Sequence, residues 1–286
     1  MDRTEDIALI GERLSKLVNR ENKRLTHKIR TARYYGGVAT IDVVGCYLDC
    51  AYCWVPDIKK SSDLILNNIG RFNFMSPVET ADILTRLAST NELGCVRLSG
   101  GEPTLNKAHL IETIDLTTER GFDYILETNG LLLDESYVKD LSKYRNNIYV
   151  YFGLKGITPQ QFSELTLRSP EYWKKQINAI ELLIKGKFRL GINIMGDYLS
   201  ESGMLEFIEV LMKIDQFAPL AVDLQNVSIF PHVQKRLDER EIHSNSSKMT
   251  KKKYLDLIMA NYPDIYAQGS KYIINRGMMT FLDFGE

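Results

Sequence analysis

The stretch Val38-Ala39-Thr40-Ile41-Asp42-Val43-Val44-Gly45-Cys46-Tyr47-Leu48-Asp49-Cys50-Ala51-Tyr52-Cys53 reads as a strand, a turn and a loop. Residues 38–44 have strand character, and Gly45 marks the turn that ends it. The loop carries three of the chain's four cysteines. A C-x3-C-x2-C spacing lets one loop wrap a compact inorganic core and present three thiolates to it. Thiolates are soft ligands, used by iron–sulfur clusters and by zinc. Three ligands rather than four imply one open metal position.

Outward from this loop, strands and helices alternate. Strands are predicted at 38–44, 95–99, 124–127, 148–154, 189–195 and 222–229. Helices are predicted from Pro77 to about Ala88, where Ser76 is the N-cap, and over 107–120, 134–144, 171–185 and 200–217. Such alternation implies βαβ units and a parallel sheet. Six units are too few for an eight-fold barrel, so the expected fold is α/β, a partial (β/α)6 barrel over residues 38–230. Residues 1–37 are expected to form an N-terminal helical extension, with an amphipathic helix over 5–19. Its basic segment 20–33 reads as a solvated helix face or a contact surface for an acidic partner, and His27 as a surface residue. Residues 55–74 read as a long loop that covers a site. The remainder, 231–286, is read as a C-terminal extension with a short helix near 254–260 and an apolar end, 278–284, packing back on the barrel.

Composition narrows the class. The 286 residues are 44% apolar and 26% charged, ordinary for a globular protein. A net charge of -1 gives no global attraction to nucleic acid or to an anionic membrane. No apolar run is long enough to span a bilayer, and residues 1–12 lack a signal-peptide core. Four cysteines, three of them clustered, do not form a disulfide framework in a chain of this length. A reducing cytoplasm is expected.

Chemistry in parallel α/β barrels gathers at the carboxyl ends of the strands. Here those ends carry the cysteine loop, Ser99-Gly100-Gly101-Glu102-Pro103-Thr104, Glu127-Thr128-Asn129-Gly130, Gly153-Leu154-Lys155-Gly156 and Gly196-Asp197. Gly100 and Gly101 would let the backbone approach a ligand closely. Glu102 offers a carboxylate for an ammonium group, and Lys155 a cation for a carboxylate. Structural zinc needs a fourth protein ligand, for which only Cys95, His27 or His109 is left. Cys95 is predicted at the opposite end of the barrel. No Walker-type or Rossmann-type glycine fingerprint is present.

Cys46-x3-Cys50-x2-Cys53 after the first strand, with Gly100-Gly101-Glu102-Pro103 after the second, resembles the radical S-adenosylmethionine (SAM) superfamily over about residues 38–230. Glu127-Thr128-Asn129-Gly130 is similar to the third-strand motif of glycyl-radical-enzyme activases and of 7-carboxy-7-deazaguanine synthase. Tyr34-Tyr35-Gly36-Gly37, Cys53-Trp54 and Phe230-Pro231-His232-Val233 resemble an archaeal-type subgroup. The resemblance implies a [4Fe–4S] cluster on Cys46, Cys50 and Cys53, with SAM on the fourth iron. It also implies reductive cleavage of SAM to a 5′-deoxyadenosyl radical that abstracts hydrogen from substrate. By position, Gly100, Gly101, Glu102, Glu127, Asn129 and Lys155 would bind SAM, Tyr52 would pack on adenine, and Asn193 and Ile194 would reach its ribose and adenine. The activases usually place an acidic residue two before the lysine, where this chain has Gly153. Too few cysteines remain for auxiliary clusters. The implied partners are a reductant such as flavodoxin or ferredoxin and a protein or peptide substrate. A small molecule or a tRNA nucleobase is the alternative, with the basic stretches 20–33 and 248–253 as the only support for nucleic acid.

Overall fold

The computed structural model describes residues 7–56 and 62–285. The chain enters through helix α1 (Ile7–Val18), strand β1 (Asn19–Arg20) and strand β2 (Lys23–Ala32). Then come β3 (Val38–Val43), α2 (Ser62–Leu66), β4 (Asn73–Met75), α3 (Pro77–Thr90), β5 (Cys95–Gly100), α4 (Lys107–Glu119) and β6 (Asp123–Thr128). The middle of the chain forms α5 (Glu135–Ser142), β7 (Ile148–Gly153), α6 (Pro159–Thr166), α7 (Tyr172–Lys185), β8 (Arg189–Met195), α8 (Glu201–Met212) and β9 (Val222–Gln225). It closes with α9 (Pro231–Glu239), α10 (Lys251–Asn261), α11 (Pro263–Gly269), β10 (Ile273–Arg276) and β11 (Met279–Asp283).

β3, β5, β6, β7, β8 and β9 are parallel neighbours in that order, which gives the six-stranded α/β sheet expected from the alternation. Along each strand, side chains alternate between two environments. Leu98, Leu126, Val150, Ile192 and Leu224 pack with the helices in the main core. Their strand neighbours Arg97, Glu127, Tyr151, Asn193 and Gln225 line a cavity on the other face. The cap of α3 is as predicted: Ser76 Oγ accepts from the Glu79 N–H, and the Glu79 carboxylate accepts from the Ser76 N–H, a reciprocal capping box.

The N-terminal segment differs from expectation. It is helical over Ile7–Val18, but 23–32 is strand β2, antiparallel to β3 and so part of the same sheet. Its basic residues are therefore not one solvated helix face. Arg24 is 1% exposed and donates to the carbonyls of Val18 and Glu102 at 3.3 and 3.2 Å. Arg30 makes a bidentate pair with Asp42 of β3 at 2.9 and 3.1 Å. β-Branched Thr26, Ile29 and Thr31 suit an extended chain, and pairing with β3 outweighs the helix preference of the intervening Lys and Arg. His27 is exposed, as expected. The 55–74 stretch is not all loop, since α2 and β4 lie within it, and its residues 57–61 lie outside those described.

The C-terminal end packs back on the sheet as an antiparallel hairpin. β11 pairs with β8 through Leu282 opposite Leu190, and Met279 and Phe281 fill the interior beside Tyr35, Ile125, Tyr149 and Tyr151. The last parallel strand is shorter than predicted, ending at Gln225, so 226–230 become a loop. Among the described residues no helix is long and apolar enough to cross a membrane.

His109, on α4, is 1% exposed, with its Nε2 3.2 Å from the Met75 carbonyl oxygen. It packs between α3 and α4 and is not placed to join the cysteines. Burial, with the nearby Arg24 charge, lowers its pKa from 6.5 to about 4. The unfolded chain therefore binds this proton first as pH falls, and stability is lost between pH 6.5 and about 4, by about 3 kcal/mol at full effect. Urea midpoints should fall from pH 7 to pH 4.5, and His109→Gln should flatten that slope. An equal slope in the variant would assign the acid sensitivity to other groups.

Candidate active site

The cysteine loop leaves β3 at Gly45 and is held from three sides. β5 grips its entry: the N–H groups of Gly101 and Glu102 donate to the Val43 and Gly45 carbonyls, both at 2.8 Å. The end of α6 supports its middle, where the Ala51 N–H donates to Leu165 O at 2.8 Å. α9 closes the third side, with Val233 and Leu237 packed on Ala51 and His232 Nε2 2.8 Å from the Trp54 carbonyl oxygen. Cys53-Trp54 and Phe230-Pro231-His232-Val233, far apart in sequence, are thus one contact.

Cys46, Cys50 and Cys53 are all free thiols and line one cavity of about 420 Å³. Asn129 Nδ2 lies 3.9 Å from Cys46 Sγ, a weak donor on that sulfur. Burial and the Glu102 carboxylate push the Cys46 thiol well above its usual range. A thiolate there needs compensating positive charge. Cys95 sits at the other end of its strand, opposite Val38, with Sγ 3.1 Å from the Gly37 carbonyl. Among the described residues no three Cys, His, Asp or Glu converge on one ion. The zinc alternative lacks a fourth protein ligand among the described residues, since Cys95 and His109 both lie away from the loop. Cys46, Cys50 and Cys53 would be the residues to hold an iron–sulfur cluster at this cavity. Soft donors on one loop, a cavity beside them and, among the described residues, no fourth protein ligand fit a cluster with one open iron.

The other expected residues divide into groups. Tyr52, Gly100, Gly101, Glu102, Glu127, Asn129, Lys155 and Asn193 all line the cavity. Ile194 does not: it is 2% exposed with its side chain in the main core. The cause is strand alternation, which turns Asn193 and Met195 to the cavity and Ile194 away from it. Met195 takes its place in the lining.

Glu102 is placed at the cavity but its carboxylate is not free. It accepts from Thr104 Oγ1 at 2.7 Å, Thr128 Oγ1 at 2.6 Å, and the N–H groups of Thr104 and Asn129 at 3.2 and 3.0 Å. It therefore ties the ends of β5 and β6 together. Glu127 accepts from Tyr35 Oη at 2.5 Å, Ser99 Oγ at 2.8 Å and the Arg97 guanidinium. Tyr52 stacks on Tyr198, centroids 5.9 Å apart, and Lys155 Nζ lies 5.8 Å from the Tyr52 ring centre. A Cβ on residue 153 would come within 2.6 Å of Lys155 Nζ. At 153, where the activases place an acid, this chain has glycine, and the Lys155 ammonium lies over it.

The family model of the radical SAM superfamily matches residues 40–211 of this 286-residue chain. The chain belongs to the radical SAM superfamily. It is 35% identical over 105 residues to 7-carboxy-7-deazaguanine synthase of Methanopyrus kandleri, a match covering 34% of this chain and 42% of that enzyme. It is 25% identical over 226 residues to the probable GTP 3′,8-cyclase of Methanocaldococcus jannaschii, covering 74% and 70% of the two chains. Among solved structures, Streptococcus suis SuiB bound to precursor peptide SuiA superposes with a TM-score of 0.54 at 17% identity, covering 82% of this chain and 52% of that one. The chain thus spans about half of SuiB and less than half of the deazaguanine synthase, and the SuiB likeness shows the fold alone.

Radical SAM enzymes use a [4Fe–4S] cluster and SAM. The cavity also holds residues that reading the strand ends does not single out. Arg97 and Tyr151 lie in the middles of β5 and β7, and Met279 comes from the C-terminal hairpin. The only sequence signal for the first two is alternation: both fall on the face opposite Leu98 and Val150. Nothing local marks Met279.

Proposed function

We propose that this radical SAM enzyme abstracts hydrogen from a side chain of a protein or peptide. One observation carries the substrate class. Tyr34, Trp54 and Phe230 are 51%, 42% and 45% exposed, and all three line the same cavity. A pocket for a whole small molecule buries most of its ligand among its aromatics. Half-exposed aromatics at a mouth suit a ligand that extends beyond it, and exposed apolar groups around a cleft favour a protein contact. The peptide bound to SuiB, a chain of similar fold, is consistent with this reading.

When bound, the reduced cluster and SAM supply the homolytic cleavage that delivers a 5′-deoxyadenosyl radical. In this reading Cys46, Cys50 and Cys53 hold the cluster. Gly100, Gly101, Asn129 and Asn193 shape the SAM side of the cavity, and Lys155 supplies a cation for its carboxylate. Tyr52, backed by Tyr198, offers a face for adenine. Glu102 acts by fixing β5 against β6. In the cavity wall, Arg97 and Tyr35 hold Glu127, and Tyr151 donates to Asp223. Electrons come from a one-electron reductant such as flavodoxin or ferredoxin. Residues 38–230 form the catalytic unit, and the flanking segments supply α1, β2 and α9 as its cover.

A second reading, a small heterocycle or a tRNA nucleobase, draws on the names of the two relatives and on Arg97, whose guanidinium lies 5.5 and 5.4 Å from the Tyr34 and Tyr35 ring centres. The two readings separate in one assay. With reconstituted enzyme, SAM and reductant, 5′-deoxyadenosine formation should rise several-fold with the polypeptide fraction of the source cells. It should stay at background with their low-mass fraction, RNA or GTP. A rise with any of the latter and none with polypeptide would overturn the peptide reading.

A further inference from the structure

Four backbone carbonyls of the cysteine loop, those of Tyr47, Asp49, Cys50 and Cys53, accept hydrogen bonds from arginines. Arg168, just after α6, donates from Nε to the Tyr47 carbonyl at 2.8 Å. Arg240, just after α9, donates from Nη1 to the Asp49 carbonyl at 2.6 Å and from Nη2 to its carboxylate at 2.7 Å. Arg236 of α9 reaches furthest in. Its guanidinium donates to the Cys50 carbonyl at 3.4 Å and to the Cys53 carbonyl, and it is only 6% exposed. Its Nε returns to the His232 carbonyl one turn back at 3.2 Å, which holds the fork in place.

Burying cationic groups is costly unless they are well bonded, and a packing role alone would be met by an apolar side chain. Two physical effects follow from using arginine. Each guanidinium bonded to a loop carbonyl offsets the negative end of that dipole beside the thiolates. Arg236 and Arg168 add positive charge beside the loop and Arg240 offsets the Asp49 carboxylate, which together favour the form of a bound cluster that carries one more electron, since net charge and hydrogen bonding set cluster potentials. Burial works in the opposite direction, because it disfavours the more highly charged form.

We propose that Arg236, together with Arg240, is a positioning residue for the cluster that raises its reduction potential from outside the barrel. The proposal rests on the reading of Cys46, Cys50 and Cys53 as its ligands. Neither arginine touches the cavity. They act through the loop carbonyls, so their effect is on the ease of reduction rather than on the presence of ligands.

The test is an EPR-monitored redox titration, with iron quantified, on reconstituted full-length protein carrying Arg236→Gln, Arg236→Lys or Arg240→Gln. Arg236→Gln should keep its iron. At the wild-type midpoint its oxidised-to-reduced ratio should be about tenfold higher, a downward shift of about 59 mV for a one-electron couple. Arg240→Gln should shift in the same direction by less, and Arg236→Lys should stay close to wild type. An unchanged midpoint in Arg236→Gln with iron retained would overturn the proposal. So would an equal shift in the lysine variant, which keeps the charge. Should Arg236→Gln lose its iron, Arg240→Gln decides: iron retained with an unshifted midpoint, or iron lost there too, also overturns it. Retention of iron by Cys46→Ala would instead remove the cluster reading on which all of this depends.

Discussion

Cys46→Ala is expected to give a colourless protein with background iron and no 5′-deoxyadenosine formation. Cys46 opens the loop and stands where Asn129 Nδ2 approaches its sulfur and where the Glu102–Asn129 bond ties β6 to β5. Under the proposed assignment its loss leaves two thiolates for the cluster, with no other cysteine placed to replace it. Cys50 and Cys53 are bound through their carbonyls to Arg236. Cys95 cannot substitute, because it lies at the far end of β5 with its Sγ on Gly37. Cys95→Ala should therefore keep both iron and turnover. Iron content and absorbance after anaerobic reconstitution check both variants. A brown, active Cys46→Ala protein, or an iron-free Cys95→Ala protein, would overturn the three-ligand assignment.

Gly101→Ala is expected to weaken both the loop junction and SAM binding. A Cβ at 101 would overlap the Gly45 carbonyl oxygen and lie 3.0 Å from both Gly45 N and Val43 O. Those are backbone atoms at the entry to the cysteine loop, and they cannot rotate aside. The same junction carries the Gly101 N–H bond to Val43 and the Glu102 N–H bond to Gly45. Forced apart, β5 and the loop lose both, and overpacking of this kind costs about 1–3 kcal/mol. The junction also sets where the loop stands relative to the remaining cavity wall. An affinity loss for SAM of about tenfold or more, equivalent to about 1.4 kcal/mol, is the outcome to measure by equilibrium binding on the iron-loaded variant. Unchanged affinity would mean that the loop tolerates the displacement.

The reason for this glycine differs from the one suggested by sequence. Two glycines at a strand end read as room for a ligand, and both do line the cavity. At 101, however, the close approach is to the protein's own backbone. Glu102 makes the same point. Its position was legible, but its four donors come from Thr104, Thr128 and Asn129, and only the meeting of two strand ends reveals that its carboxylate is occupied. Arg24 and Arg30 belong to a segment whose Lys and Arg residues favour a helix, and it is pairing with β3 that makes it a strand and brings them to Val18, Glu102 and Asp42.

What sequence by itself determined was whatever depends on neighbours along the chain. The C-x3-C-x2-C spacing defined a three-thiolate loop, the period of the apolar residues defined six strands with their helices, and the polar strand ends defined the active face. Tertiary structure alone decided what depends on distant segments meeting. It brought α9 onto the cysteine loop, Met279 into the cavity and β2 into the sheet, and it turned the Ile194 side chain into the core. The physical reason is that covalent spacing sets which groups a short segment can present. Which charges, carbonyls and aromatic faces those groups meet is set by packing between residues as far apart as Cys50 and Arg236, 186 positions along the chain.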